Sequence, residues 1–362
     1  MSRIVQIVCL EFALKGGFFV SGLMIYISSK ESFANFTFLN SLFTLAYNGI
    51  ALGLPFIFAR ELHKDISFSI LSLFPAITVS MILFILSCVV FPQYALYSTA
   101  ALFMVAVDTI YSEFRICMLR RLAFILGMAG AIVFSGNILA GALLDENWRY
   151  YGIVASGAVA VVLTVPRKFA VPAGQAVKRA DLRNLLDGLG FGATHALFWV
   201  RNGLDKILLF PLIGSEEYAH YGLLFFFVAV FQTAWTSFIR MAQRKIFDYV
   251  ATSYQKILRL FRYFVAGATI ISAVLVLFHL EYSYIVAAGA LVHFGNQVFV
   301  NVLNYRLPVY YYSISNAVVA ASYLLILGAL GVSVYNLSAL YMASNLLLAV
   351  IYIGFVSTRT VN

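Results

Sequence analysis

Apolar residues run along this chain in blocks of about twenty, separated by short polar stretches. As a helix rising 1.5 Å per residue, each block is long enough to cross the ~30 Å hydrocarbon layer of a bilayer. Twelve such helices are predicted, at roughly 4–28, 33–58, 67–90, 94–113, 122–144, 150–166, 184–212, 217–239, 262–280, 283–303, 308–331 and 335–357. A membrane barrel would alternate apolar and polar residues in segments of about 10. The continuous runs here exclude that. The predicted fold class is all-α: a polytopic membrane protein.

The polar interruptions are unequal. Pro166 to Arg183 carries two prolines, a glycine and five basic residues, and it divides the chain into an N-terminal bundle over 1–165, a linker over 166–183 and a C-terminal bundle over 184–362. Each bundle holds six spans. The halves share a weak repeat: Phe33-Ala34-Asn35-Phe36 and Tyr218-Ala219-His220-Tyr221 lie 185 residues apart, each just after a short acidic connection. Six spans per half make the two run in the same direction, so the repeat axis is expected along the membrane normal, as in parallel-repeat transporters. Arg240 to Arg262 is basic with Ile246, Phe247, Tyr249 and Val250 interspersed. It reads either as an amphipathic surface helix or as a plain basic loop.

Composition agrees with the periodicity. The chain is 62% hydrophobic and 11% charged, with a mean hydropathy of +0.92. These values exclude a soluble globular domain. The net charge of +9 changes meaning once the charges are placed. Nineteen of the 24 Lys and Arg fall in connections on one side or at the two ends, among them Arg60, Lys64, Arg120, Arg121, Arg244 and Lys245. The opposite connections hold Lys30 and Arg149 beside Glu31, Asp145, Glu146, Glu216, Glu217 and Glu281. By the positive-inside rule both termini are expected on the cytoplasmic side. The basicity then sets topology, and no nucleic-acid partner is expected. Cys9, Cys88 and Cys117 are scattered and form no disulfide or metal pattern. Glu11 and Lys15 interrupt the first span, so a cleavable signal peptide is not expected.

Charge inside the spans is the candidate chemistry. Asp187, His195, Arg201, Asn202, Asp205 and Lys206 fall within an arc of about 140° on the seventh helix at 100° per residue. Ionisable groups at membrane depth are costly and functional by default. Arg201 can pair with Asp205, and Asn202 with Lys206, each four residues apart. The first helix repeats the theme with Glu11 and Lys15. Asp108 lies in the fourth helix with Ser112 a turn away, and His293, Asn296, Gln297 and Asn301 lie in the tenth. The plainer alternative is that such pairs only tie helices together, since desolvation offsets much of their attraction. No phosphate-binding loop, paired Cys/His spacing or large outward loop is present, so no enzyme, cofactor or metal is expected.

The stretches Phe33 to Leu62, ending G-L-P-F-I-F-A-R-E-L, and Gly203 to Gly222, G-L-D-K-I-L-L-F-P-L-I-G-S-E-E-Y-A-H-Y-G, resemble the polysaccharide (O-antigen type) lipid-linked oligosaccharide flippases. That family belongs to the superfamily that also holds the MATE drug exporters. The resemblance implies a MATE-like fold with two six-helix bundles. It implies a bacterial inner membrane and alternating-access transfer of an undecaprenyl-pyrophosphate-linked oligosaccharide from its cytoplasmic to its outer leaflet, coupled to a proton or sodium ion. Its tail stays in membrane lipid, and polysaccharide polymerases are expected partners. On this reading Lys15, Arg201 and Lys206 contact the head group, and Asn202, Asn296 and Gln297 bind sugar hydroxyls. Glu11, Asp108 and Asp205 balance charge or couple the ion. A MATE-like exporter of organic cations is the first alternative and a membrane glycan polymerase or ligase the second.

Overall fold

A computed structural model of the chain describes residues 3–64, 73–117, 119–168, 182–250, 254–277, 282–306 and 309–360. Among these the fold is all-helical. Helix α1 comprises Arg3–Glu11, a π-helical turn Phe12–Gly16 and Gly17–Ser28; α2 comprises Lys30–Ala51 and Leu54–Lys64. Then follow α3 Phe74–Val90, α4 Ala95–Cys117, α5 Arg120–Leu143, α6 Asn147–Lys168, α7 Leu182–Leu209 and α8 Ser215–Val250. The last four are α9 Tyr254–Leu277, α10 Ser283–Arg306, α11 Val309–Leu330 and α12 Val334–Thr360.

Local chemistry explains several helix ends. Ser29 opens α2 as an N-cap, its hydroxyl accepting from the Ser32 amide at 3.1 Å. Asp145 turns the chain into α6 by accepting from the Asn147 amide at 3.1 Å. Gly331 follows α11 at φ +79, a left-handed conformation that ends a helix cheaply only in glycine.

Two interruptions depart from the continuous spans expected. Leu52 takes φ +43 and Gly53 φ +66, so α2 breaks in mid-course just ahead of Pro55. The π turn in α1 is the second. A third departure concerns Arg240 to Arg262, which over its described part is helix rather than loop. Helix α8 runs unbroken to Val250, and α9 starts at Tyr254. That stretch contains no glycine or proline and is rich in helix formers, so nothing local ends either helix where the apolar pattern stops. At 36 residues α8 is about 54 Å long, well beyond the hydrocarbon thickness.

Five helical stretches are long and apolar enough to cross a membrane among the described residues: Cys9–Ser28, Pro92–Cys117, Arg120–Leu143, Ser313–Leu330 and Val334–Ser357. Large apolar side chains also cover the outside: Ile27 is 81% exposed and Leu325 75%. Apolar surface on that scale requires lipid, so this is a multi-pass membrane protein.

The chain divides into two compact units, Met1–Ala196 and Leu197–Asn362, with the division inside α7. Most of the expected linker lies outside the described residues. In the first unit α5 packs closely on α6: a Cβ on Gly136 would come within 2.9 Å of the Gly152 Cα. Such backbone approach is how helices gain dispersion contact where lipid removes the hydrophobic drive. In the second unit Ile239, Ile257, Phe264, Phe299, Val319 and Leu348 form one buried cluster from α8 to α12.

Candidate functional site

In the first unit, Glu11 and Lys15 meet as expected, with Lys15 Nζ 2.8 Å from Glu11 Oε2. Glu11 is 5% exposed, while Lys15 keeps 27%. Lys15 stands in the π turn, whose widened backbone is a common mark of functional sites in helices.

Asp108, on α4, accepts a 2.5 Å hydrogen bond from the Tyr47 hydroxyl of α2. Tyr47 lies one turn before the break at Leu52. A left-handed leucine is strained by about 1 kcal/mol or more, and such strain concentrates at working sites. The first half of α7 packs here too, since a Cβ on Gly192 would stand 2.9 Å from the Leu52 Cα.

The second unit gathers Asp205, Lys206, Tyr218 and Tyr221 where α7 ends and α8 begins. Lys206 Nζ lies 3.2 Å from both carboxylate oxygens of Asp205. Asp205 therefore pairs with its sequence neighbour, and Lys206 is engaged by the carboxylate rather than standing apart. The Tyr221 hydroxyl donates a short hydrogen bond to Asp205 Oδ2. The Tyr218 hydroxyl donates to the Lys206 carbonyl at 2.8 Å. The ammonium also sits 4.1 Å from the centre of the Phe225 ring. Asp205 is 4% exposed. The side chains of Asp187, His195, Arg201 and Asn202 lie outside the described residues, so their expected pairings stay expectations.

Asn296 and Gln297 belong to a buried network joining α10 to α12. Asn296 Nδ2 donates to the Asn345 carbonyl at 2.9 Å, and Asn345 Nδ2 donates to the Tyr341 carbonyl at 2.8 Å. That second bond turns Asn345 Oδ1 toward His293 Nδ1, 3.3 Å away, so Nδ1 carries the proton. Gln297 Nε2 lies 3.3 Å from His293 Nε2 on the other side of the ring. Asn296 Oδ1 is buried without a donor among the described residues. These amides thus sit inside a helix–helix contact.

One residue escaped the sequence reading. Arg149 was expected in a solvent-side connection; it is instead 7% exposed and enclosed by aromatic rings. Its position two residues into an apolar helix was the available signal. Only tertiary packing turned it inward.

No family model matches the chain, and no curated protein does. Solved structures do. A multidrug resistance MATE family transporter of the MOP superfamily, in an inward-facing conformation, aligns with a TM-score of 0.54. The alignment covers 99% of this chain and 95% of that one at 12% identity. This is the MATE transporter fold. A MATE structure in complex with Br-NRF agrees, with a TM-score of 0.52, 12% identity and coverage of 98% and 95%. Both agree with the all-α, MATE-like fold class expected from the sequence. At such identity the likeness speaks for fold alone.

Proposed function

We propose that the chain is a transporter that flips an undecaprenyl-pyrophosphate-linked oligosaccharide across a bacterial inner membrane by alternating access. The MATE fold supports transport. The observation that favours an anionic cargo is the balance of charge within the spans. Lys15 and Lys206 each stand beside a carboxylate, and Arg201 and Arg149 add cations to the two units. A pyrophosphate head group cannot enter hydrocarbon unaided, whereas a cationic, hydrogen-bonding lining lowers that barrier. Lys15, Arg201 and Lys206 are assigned to the head group, with Asn202, Asn296 and Gln297 near the sugars. Asp205, held by Tyr221 and Lys206, and Asp108, held by Tyr47, are the carboxylates assigned to the coupling proton or sodium ion.

The test is surface polysaccharide in a deletion strain carrying Arg201→Ala or Lys15→Ala. Display is expected to fall at least about tenfold in each at unchanged protein level, the loss of one charge-assisted contact. Normal display in both would remove the head-group assignment.

A MATE-like exporter of organic cations is the second reading, favoured by the structures sharing the fold. It predicts raised drug susceptibility with intact polysaccharide in the deletion strain, so one pair of assays separates the two.

A further inference from the structure

Arg149 turns its guanidinium into the first unit. Nη1 is sealed from solvent and has no acceptor among the described residues. Cζ lies 4.3 Å from the ring centre of Phe18, 5.2 Å from Tyr150, 5.5 Å from Phe43 and 5.7 Å from Phe36. Tyr150 is itself fully buried, and its hydroxyl likewise lacks a partner there. The carboxylates nearest in sequence do not neutralise the cation. Asp145 Oδ1 accepts from the Asn147 amide and side chain, at 3.1 and 2.9 Å. Glu146 forms no ion pair with Arg149 among the described residues.

Ring faces return only part of the hydration a buried guanidinium gives up. A cation left without an anion inside a membrane bundle is a standing cost, retained where the charge is used. We propose that the Arg149 cage is an anion site in the first unit. Its ligand is an oxyanion, carboxylate or phosphate, whose carrier presents a C–H face to Phe18, Phe36 and Phe43. The guanidinium supplies forked donors, Tyr150 supplies a hydroxyl, and the rings exclude the water that would weaken both. An acidic sugar and a phospholipid head group share this chemistry. The site stands on the first unit alone and does not depend on the cargo reading above.

The test uses the full-length protein in detergent micelles. D-glucuronate is the sugar carboxylate, sn-glycerol 3-phosphate the head-group phosphate and D-glucose the neutral control. Binding is read by calorimetry and by thermal shift. Wild type is expected to bind at least one oxyanion and not glucose, with a matching rise in Tm. Arg149→Met weakens that binding at least about tenfold, yet its ligand-free Tm equals or exceeds that of wild type, because an uncompensated charge is gone. Tyr150→Phe weakens binding several-fold without lowering Tm. Binding of glucuronate alone assigns an acidic sugar, of glycerol phosphate alone a lipid head group, and of both the shared site. No oxyanion binding by wild type up to about 50 mM overturns the proposal. So does unchanged affinity in the two variants, with or without a lowered Tm. Should Arg149→Met not fold, Arg149→Lys keeps the charge without the fork, and unchanged affinity there overturns it equally.

Discussion

The two units treat the same kind of position in opposite ways. Helix α2 begins at Lys30 and α8 at Ser215, and six residues on stand Phe36 and Tyr221, both buried. Phe36 helps wall the Arg149 guanidinium, a cation with no anion among the described residues. Tyr221 donates to Asp205, an anion paired with Lys206. The change from phenyl to phenol accompanies a change in the sign and pairing of the buried charge. A phenol can donate to a carboxylate, whereas a phenyl ring offers only its electron-rich face, which suits a cation. The same offset joins Asp108 of α4 to His293 of α10. Each is tied into its own unit, Asp108 by Tyr47 and His293 by Asn345. On the 185-residue offset read from the sequence, corresponding positions thus carry a carboxyl in one unit and an imidazole in the other.

The sharpest way to break this comparison is Asp205→Asn. It removes the anion facing Lys206 in a buried pair, for which a loss of about 3 kcal/mol is expected. Thermal unfolding should show it, and adding Lys206→Met should recover much of the loss as the two changes couple. A purely additive double variant would mean that the pair contributes nothing as a pair.

Tyr221→Phe makes the second unit resemble the first. Losing a hydrogen bond to a charged acceptor should lower stability by about 2 kcal/mol. The reciprocal change, Phe36→Tyr, adds an oxygen to a ring stacked on Phe18 and Phe33 and should cost about 1 kcal/mol by overpacking against them. A gain in Tm would instead show that the added hydroxyl finds a partner there.

The smallest effect concerns Glu146, in the connection ahead of Arg149. Burial, with Asp145 adding to it, pushes the Glu146 carboxyl above its ordinary value. A carboxyl raised in the folded state favours folding while protonated. Its contribution is complete below the unfolded-state value and is lost as pH rises through the folded one. Glu146→Gln should therefore reduce the decline of Tm with rising pH across the weakly acidic range. An unchanged profile would mean that the carboxyl is effectively solvated.

Much of the architecture was legible because membrane insertion is encoded in composition. Twenty-residue apolar runs must be helical where no water can satisfy the backbone. The pairing of Glu11 with Lys15 was legible for the same local reason, since four residues span one helical turn. The break at Leu52 was not, because leucine carries no signal for a left-handed backbone and tertiary packing imposes it. The extent of α8 was legible only in part: the polar sequence beyond the apolar run read as helix or loop, and its apolar pattern does not choose between them.

By itself, then, the sequence determined the helical class, the long apolar stretches and the local pairing of Glu11 with Lys15, through hydropathy and the 3.6-residue period. Tertiary structure decided how the other buried charges are partnered. Asp205 took Lys206 and Tyr221, Asp108 took Tyr47, and Arg149 left its expected place in a connection for an aromatic cage. Such choices depend on residues distant in sequence that helix packing brings within a few ångströms, where the burial of each charge is decided by what stands opposite it.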